Sequence, residues 1–259
     1  MDHVYPDEET HLENKHLAPP GRRVFAIGDI HGRPDLLKIL LEKIVDTATS
    51  NEGGKNVLVF LGDYVDRGPD SKAVIDMMVS GLPDDFEIVT LIGNHEAMML
   101  TFLNHGEPDS AWLLNGGLAT LKSYGCQALE TFSKAKLSLF AGNPINALRR
   151  CLKKSLPREH LTFLSSLKSY HVEGDYLFVH AGIRPGVSLE EQTESDLMWI
   201  RGPFINSQED FGRLVIHGHT IRDAPEIRNN RIGIDTGAWK SGVLTCLVLD
   251  GDEQRFLTT

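Results

Sequence analysis

The sequence has few cysteines, no long basic run and no apolar stretch of membrane-spanning length. Its three cysteines, Cys126, Cys151 and Cys246, are an odd and unclustered set in 259 residues. We therefore expect neither a disulfide framework nor a zinc cage. The opening segment MDHVYPDEET lacks the basic and apolar regions of a signal peptide. These absences predict a protein of the reducing cytoplasm that does not associate with membranes.

Basic residues are in the minority. The chain has 26 Lys and Arg against 36 Asp and Glu, which gives a formal net charge of −10. A surface of this sign repels phosphate backbones, so we do not expect a nucleic-acid partner. The hydrophobic fraction of 41% is ordinary for a globular protein, and the length is sufficient for a sizeable core.

The first 21 residues differ in composition from the rest of the chain. They contain five acidic residues, one lysine and few aliphatic side chains that could be buried. We therefore predict an acidic flexible tail over residues 1–21. Because no repeat or linker interrupts the remainder of the chain, residues 22–259 are predicted to form one domain.

From Arg22 onward, apolar runs of strand length alternate with helical patterns. Residues 35–47 and 71–79 carry apolar side chains at helical spacing, and Pro34 suits a first helical turn. The strand candidates are residues 24–27, 56–61 and 87–92. Strand, helix and strand at about 30 residues per unit predict βαβ units in a parallel sheet.

Further apolar runs lie beyond a middle region, residues 97–175, that lacks strand signals. They are YLFVHAG (176–182), RLVIHGHT (213–220), RIGIDTG (231–237) and VLTCLVLD (243–250). Because these runs lie close together in sequence, we expect them to pair as an antiparallel or mixed sheet. The predicted fold class is α/β, with two packed sheets flanked by helices and a helical region over 97–175.

Glycine and a metal-binding residue type occur at the ends of five predicted strands. The segments are GDIHG (28–32), GDYVDRG (62–68), GNHE (93–96), VHAG (179–182) and HGHT (217–220). Loops at the carboxyl ends of strands converge in α/β sheets, so six candidate metal ligands are expected at one place. They are Asp29, His31, Asp63, Asn94, His180 and His219. Such oxygen and nitrogen donors suit manganese, iron or zinc, and Asp63, central in the set, is the candidate bridge between two ions.

Each of these residues also has a plain structural interpretation. A single Gly-Asp after a strand is usually a turn, and a single histidine there is usually a hydrogen-bonded polar residue. The metal interpretation depends on five such strand ends occurring in one chain. His217 competes with His219 as a ligand, and Asp235 is interpreted as a turn or supporting residue.

Together the five segments resemble the signature motifs of the calcineurin-like metallophosphoesterases. The similarity runs from Val24 to Gly237 and is greatest to the phosphoprotein phosphatase branch in its compact bacterial and phage form. Residues 97–175 match that pattern only loosely. Many members of the superfamily end in Gly-His-x-His, whereas Ile221 stands at the place of the second histidine. The resemblance implies the β-sandwich of two packed sheets that this superfamily shares.

The resemblance also implies a site with two divalent ions, with manganese expected and iron or zinc as alternatives. The first ion would be held by Asp29, His31 and Asp63, and the second by Asp63, Asn94, His180 and His219. A water shared by two such ions loses a proton near neutral pH. That hydroxide would attack phosphorus directly, without a phosphoenzyme.

Four other residues are expected to complete the mechanism. His95 would protonate the leaving oxygen, and Asp66 would hold its other N–H. Arg67 and Arg201 would bind phosphate oxygens beside Asn94, with Arg184 as a weaker candidate. An isolated arginine would otherwise be interpreted as part of a surface ion pair.

The middle region is expected to influence the choice of substrate. Five of its apolar residues are interpreted as its core: Trp112, Leu113, Leu114, Phe163 and Leu164. The Asn115-Gly116-Gly117 turn is a candidate loop over the mouth of the site. The basic segment 146–160 is interpreted as a solvated helix face rather than a steering surface.

The favoured function is hydrolysis of phosphoserine or phosphothreonine in a phosphorylated protein or peptide. The alternative is a dinucleoside polyphosphate hydrolase. Relatives of that type typically lack the aspartate that is Asp66 here and end the third motif in Gly-Asn-His-Asp, so GDYVDRG and GNHE favour the phosphatase. A phosphodiesterase and an inactive metal-binding scaffold are less favoured. The sequence does not determine the oligomeric state or the preference between Ser/Thr and Tyr.

Overall fold

The computed structural model describes residues 16–49, 54–105, 111–126 and 144–259. Within these ranges, no helix is both long and apolar enough to cross a bilayer. The described chain begins with an extended segment whose Ala18 is buried and donates its N–H to the carbonyl of Gly251 at 2.9 Å. Most of the proposed tail, residues 1–15, lies outside the described residues, and the division at residue 21 stays a prediction.

The first sheet contains the three strands predicted from the early apolar runs. They are β1 (Arg22–Ile27), β2 (Lys55–Phe60) and β3 (Phe86–Thr90), which run parallel in that order. Two further strands, β9 (Thr245–Asp250) and β10 (Glu253–Thr258), extend the sheet on the side of β1 by antiparallel pairing. The order is β10-β9-β1-β2-β3.

The second sheet has the order β4-β5-β6-β8-β7. Its strands are β4 (Tyr170–Glu173), β5 (Tyr176–Val179), β6 (Leu214–His217), β7 (Glu226–Ile227) and β8 (Arg231–Gly233). Strands β5, β6 and β8 are parallel, and β4 and β7 are antiparallel at the edges. The fold class is confirmed, with one correction: the run 243–250 joins the first sheet through β1 rather than pairing with the other late strands.

Alternation along the strands places one core between the sheets and another beneath the helices. In β1, Val24 and Ala26 pack toward Phe178 and Ile216 of the second sheet, whereas Phe25 points to the helical side. The helices that cover this side are α1 (Pro34–Ala48), α2 (Ser71–Ser80) and α3 (Asn94–His105). Strands β1 and β2 are buried on both faces over most of their length, and for this reason their apolar runs show no polar alternation.

In the described part of the middle region, four helical segments follow α3 before β4. They are a π-helical turn (Leu113–Gly117), α4 (Leu118–Ser123), α5 (Pro144–Ser155) and α6 (Arg158–Ser165). On α5, Leu148 and Leu152 are buried while Arg150, Lys153 and Lys154 are exposed, as the interpretation of a solvated basic face requires. Helices α7 (Glu194–Trp199), α8 (Gly202–Ile205) and α9 (Ala238–Ser241) lie later in the chain.

A disulfide corrects the expectation from cysteine spacing. Cys126, just after α4, is bonded to Cys151 on α5, and Cys246 is free and buried. The two bonded cysteines are 25 residues apart, and cysteine spacing alone cannot show which residues folding brings together. The bond joins two helical segments of the middle region.

Candidate metal centre

The loops after β1, β2 and β6 hold five residues in a backbone conformation that side chains rarely adopt. Their φ angles are positive: 44° for His31, 53° for Asp63, 75° for Asp66, 64° for Arg67 and 62° for His219. A left-handed backbone outside glycine costs conformational energy and persists only where the surroundings enforce it. All five residues were predicted to belong to the site.

Glu96 enforces the loop after β2. Its buried carboxylate accepts the backbone N–H groups of Asp63 (2.9 Å), Tyr64 (2.8 Å), Val65 (3.1 Å) and Gly93 (3.0 Å). Burial and the nearby Asp63 charge raise the pKa of Glu96 to about 8, although these N–H donors favour its ionised form. Sequence reasoning gave Glu96 no role; the only signal was its place at the end of GNHE.

Asp63 lies between two histidines that approach from opposite sheets. Its Oδ2 is 3.4 Å from Nε2 of His31, and its Oδ1 is 3.5 Å from Nε2 of His180. Burial alone would raise the pKa of Asp63, but the histidines around it hold that pKa well below its usual range. One carboxylate with its two oxygens directed at different imidazoles has the disposition of a bridging ligand.

The backbone fixes the tautomers of these two histidines. Nδ1 of His31 donates to the carbonyl of Val65 at 2.8 Å, and Nδ1 of His180 donates to that of Leu61 at 2.8 Å. In each neutral ring, Nε2 then carries the lone pair and faces Asp63. Burial lowers the pKa of His31 to about 3 and also lowers that of His180, which favours the neutral form that binds metal.

A buried imidazole nitrogen without a hydrogen-bond partner indicates that the site fits a metal ion. Nε2 of His219 is buried and has no hydrogen-bond partner among the described residues. It belongs to a group with Asp63 and His180 whose ligand atoms lie within 4.8 Å of one another, and Asn94 Oδ1 is 3.0 Å from His180 Nε2. A second such group contains His31, Asp63 and His95. Nitrogen and oxygen donors without a thiolate fit divalent manganese, iron or zinc.

Asp29 lies within the site but is not in either group. Its two carboxylate oxygens accept the backbone N–H of His219, each at 3.1 Å. Burial, together with the charges of Asp235 and Asp63, raises the pKa of Asp29 well above its usual value. A cation beside these three carboxylates would relieve that repulsion. The role of Asp29 as a ligand stays a prediction.

Two glycines allow the carboxylates to approach the backbone. A Cβ at Gly93 would collide with Oδ1 of Asp63, and one at Gly218 would collide with Oδ1 of Asp29. The absence of a side chain, rather than a special φ angle, is what these two positions require. The glycines in GNHE and HGHT are therefore part of the site.

His95 forms a buried pair with Asp66. Its Nδ1 donates to Oδ2 of Asp66 at 2.6 Å. Burial disfavours the imidazolium, but the charges of Asp63 and Asp66 outweigh this effect and raise the pKa of His95. The pair can hold a protonated imidazole beside the candidate ligands.

Arg67 is half-buried against two histidines. Its Nη1 donates to Nε2 of His31 at 2.8 Å. Its Nη2 lies 2.9 Å from Nε2 of His95 and donates to that nitrogen while the His95 imidazole is neutral; protonation of His95 ends this hydrogen bond. The ring of Trp239 lies 5.8 Å from its guanidinium carbon. Because His31 Nε2 is a proposed ligand atom, binding of an ion there requires this guanidinium to move away, which frees it for an anion.

The other two arginines differ from Arg67. Arg201 is exposed, and its charge contributes to lowering the pKa values of His180 and His219, so it lies close to the site. Arg184 is paired with Asp196 at 2.6 Å. The weaker phosphate candidate, Arg184, therefore has an ion-pair partner.

The supporting roles of His217 and Asp235 stay predictions. His217 packs its ring 5.1 Å from that of Phe204 and lies outside both groups of ligand atoms, although its Nε2, like that of His219, is buried and has no hydrogen-bond partner among the described residues. Oδ1 of Asp235 accepts the backbone N–H of Gly237 at 2.9 Å, which closes a turn.

The interpretation of the middle region needs one correction. Trp112, Leu113 and Leu164 are buried as expected, but Leu114 is 91% exposed. The reason is the π-helical turn, which leaves helical geometry at Asn115 and Gly116 (φ 110°) and turns Leu114 outward. The carbonyl of Gly116 also accepts the N–H of Arg67 at 3.4 Å, so the turn lies directly against the site.

Comparisons with known proteins agree with this geometry. Residues 22–223 match the calcineurin-like phosphoesterase family. The chain is 27% identical to a zinc-dependent endopolyphosphatase of Saccharomyces cerevisiae, over 97% of this chain and 83% of the yeast protein. It is 26% identical to serine/threonine-protein phosphatase 2 of Escherichia coli, over 86% and 91% of the two chains.

A third relative and one solved structure have names from another branch. An asymmetrical bis(5'-nucleosyl)-tetraphosphatase of Oceanobacillus iheyensis is 25% identical over 86% of this chain and 87% of its own. A crystal structure with the provisional name diadenosine tetraphosphatase superposes with a TM-score of 0.59 at 22% identity, covering 93% and 96% of the two chains. The family match spans most of the chain, and the chain therefore belongs to the calcineurin-like phosphoesterase family.

Proposed function

We propose that the protein is a metal-dependent phosphomonoesterase whose substrates are phosphoserine and phosphothreonine in proteins or peptides. Membership of the family supports phosphoester hydrolysis. The observation that carries the narrower proposal is the His95–Asp66 pair, with its 2.6 Å hydrogen bond beside Asp63. A serine or threonine alkoxide is a strongly basic leaving group and needs a proton from such an acid.

The proposed ligands would hold two divalent ions, with manganese expected and zinc or iron as alternatives. They are Asp29, His31 and Asp63 for one ion and Asp63, Asn94, His180 and His219 for the other. When bound, such ions neutralise phosphate charge and lower the pKa of a coordinated water. Zinc is favoured only by the name of the yeast relative.

The protein's own groups account for the remaining steps. Arg67, released from His31, and Arg201 bind the phosphoryl oxygens with the amide of Asn94, which orients the phosphorus for in-line displacement. His95 then gives its Nε2 proton to the leaving oxygen, while Asp66 holds Nδ1–H and stabilises the imidazolium before transfer. The substrate partner is a flexible phosphorylated segment that can reach this loop cluster.

A second candidate is hydrolysis of a dinucleoside polyphosphate. Two partly exposed tryptophans favour it: the ring of Trp199 lies 6.3 Å from that of His219, and Trp239 lies against Arg67. Exposed indoles beside a phosphate site can stack on a nucleobase. The Oceanobacillus relative has a name of this class.

Competition between substrates on manganese-loaded protein tests the proposal. Phosphoserine, phosphothreonine and phosphotyrosine peptides are compared with dinucleoside tetraphosphate and inorganic polyphosphate by kcat/KM. We expect the phosphoserine or phosphothreonine peptide to be the best substrate, and Trp239→Ala to change its turnover little. A higher kcat/KM for dinucleoside tetraphosphate, lost in Trp239→Ala, would establish the second candidate instead.

A further inference from the structure

Two side chains of the middle region bind the carboxylate of Asp66. Nε1 of Trp112 donates to Oδ2 at 2.8 Å, and the hydroxyl of Thr120 donates to Oδ1 at 2.6 Å. The third donor to this carboxylate is Nδ1 of His95, which shares Oδ2 with Trp112. All four residues are buried, with Trp112 1% and Thr120 0% exposed.

The hydroxyl of Thr120 also fixes the backbone of the same loop. It accepts the N–H of Asp66 at 2.9 Å, and it lies 2.9 Å from the hydroxyl of Ser71, which also accepts that N–H. Since Thr120 Oγ1 gives its only proton to Asp66, Ser71 must be the donor in the bond between the two hydroxyls. The left-handed backbone of Asp66 is thus held by α2 and α4 together.

These contacts leave the Asp66 carboxylate one orientation. Thr120 holds Oδ1, and Trp112 and His95 both hold Oδ2. Rotation of the carboxylate would break a hydrogen bond in a buried site, which is costly. The plane and position of the His95 ring therefore depend on donors that come from residues 111–126.

We propose that Trp112 and Thr120 are positioning residues for general acid catalysis by His95. In this role the middle region aligns His95, the general acid, by holding Asp66 in place. This role is separate from any contact between the middle region and the substrate. The inference rests on one part of the proposed function, namely that the protein hydrolyses phosphomonoesters with His95 as the general acid. It does not require that the ester be a phosphoprotein.

The alternative is that both residues only stabilise the core. The ring of Trp112 packs 4.8 Å from that of Phe102, so removal of the indole would damage folding whatever its role. Thr120→Val is the sharper variant, because it keeps the branched shape and removes only the hydroxyl. Thr120→Ser restores the hydroxyl. Thr245→Val is the matched control, since Thr245 is equally buried and its hydroxyl bonds to Thr236 at 2.9 Å.

Turnover of a series of aryl phosphates with increasingly basic leaving groups separates the two roles. If Thr120 positions His95, the loss of kcat in the variant should increase with the basicity of the leaving group, because only basic leaving groups need the proton. For Thr120→Val we expect about a tenfold loss of kcat on phenyl phosphate and less than about twofold on nitrophenyl phosphate. Thr120→Ser should restore the wild-type ratio, and Thr245→Val should leave that ratio unchanged.

Proton NMR gives an independent readout. The Nδ1–H of His95, identified by its absence in His95→Ala, should move upfield in Thr120→Val and Trp112→Phe as its short bond to Asp66 lengthens. Equal losses on all aryl phosphates with an unmoved resonance would overturn the positioning role. Wild-type protein that hydrolyses the aryl phosphates but no phosphopeptide would overturn the phosphoprotein proposal alone, and the ratio would still test Thr120. Absence of turnover on every ester would contradict both.

Discussion

The two sides of the candidate metal centre are built in different ways. On the side formed by the loops after β1, β2 and β3, His31, Asp63, Asp66 and Arg67 have left-handed backbones and side chains bonded to other protein groups. On the side formed after β5 and β6, His180 is bonded to Leu61 and His219 also has a left-handed backbone, but Nε2 of His219 has no partner in the described chain. Arg201 makes no side-chain hydrogen bond with the described residues and is exposed.

The contrast indicates that hydrogen bonds within the protein hold the first side in place, whereas His219 and Arg201 on the second side gain partners only when metal and phosphate bind. On the first side, the buried carboxylates of Glu96 and Asp66 each accept several hydrogen bonds from the surrounding loops and helices. Disruption there should damage the fold and chemistry together. Disruption on the second side should cost metal or phosphate affinity with little effect on the stability of the metal-free protein.

Replacement of Glu96 by Gln should give the largest effect. The carboxylate accepts four backbone N–H groups, and an amide NH₂ would face two of these donors without accepting from them. We expect a loss of about 3 kcal/mol or more in the unfolding free energy of metal-free protein, measured by urea denaturation. Metal affinity should fall as well, because the left-handed turn at Asp63 loses its support.

Two variants provide the comparison for Glu96→Gln. Glu87→Gln makes the same chemical change at a half-exposed carboxylate paired with Arg22 and should cost less than about 1 kcal/mol. His219→Ala removes the unpartnered imidazole and should lower metal stoichiometry while leaving metal-free stability within about 1 kcal/mol. A His219→Ala protein as unstable as Glu96→Gln would remove the distinction between the two sides.

The next largest effect is expected for His95→Ala, and the loss of turnover in this variant should depend on the substrate. General acid catalysis contributes about 10²–10⁴-fold, and the contribution grows with the basicity of the leaving oxygen. We expect turnover of a phosphoserine peptide to fall far more than turnover of nitrophenyl phosphate, with a milder pattern in Asp66→Asn. Metal content by elemental analysis is the control. Equal losses on both substrates would leave His95 with an orienting role only.

The two phosphate arginines should differ in effect. Arg67 is half-buried and has Trp239 beside its guanidinium, so its range of positions stays restricted after it leaves His31, whereas the exposed Arg201 must be ordered by the substrate. Because preorganised donors stabilise a transition state most, we expect a loss in kcat/KM of about 10²–10³-fold for Arg67→Ala and about tenfold for Arg201→Ala. Loss of metal together with activity in either variant would instead make that arginine structural.

The disulfide should have the smallest effect on chemistry. Cys126 and Cys151 close a loop of 25 residues outside the ligand set, and such a crosslink typically contributes about 2–4 kcal/mol to stability. Cys126→Ser should therefore lower Tm by several degrees while leaving kcat on nitrophenyl phosphate nearly unchanged. Reductant should lower the Tm of the wild type and have no further effect on the variant. A Tm that does not respond to reductant would contradict the bond.

The ligand types and strand ends could be predicted from sequence because glycine and a metal-binding residue recur after separate apolar runs. Asp63, His31 and His180 meet as expected because parallel strands bring their carboxyl ends to one edge. Glu96, Trp112 and Thr120 could not be assigned in this way. Their roles depend on contacts across 31 to 54 residues of chain, and a helical glutamate or a buried tryptophan has no distinctive local pattern.

The same limit applies to the cysteines and to β9. No local feature of Cys126 identifies Cys151 as its partner. Strand 245–250 has the apolar pattern of a buried strand in either sheet, and its pairing with β1 is set by tertiary packing. Leu114 was assigned to the core as an apolar residue of the middle region, but within the π-helical turn it is exposed.

Metal stoichiometry of wild type and Asp63→Asn, with turnover measured on the same samples, tests the two-ion site with one shared carboxylate. The wild type should bind two manganese ions per chain and lose turnover when chelated, with recovery on re-addition. Asp63→Asn should weaken both binding steps, because the carboxylate faces His31 and His180 at once. Full turnover of chelated protein, or two unchanged affinities in Asp63→Asn, would contradict that site.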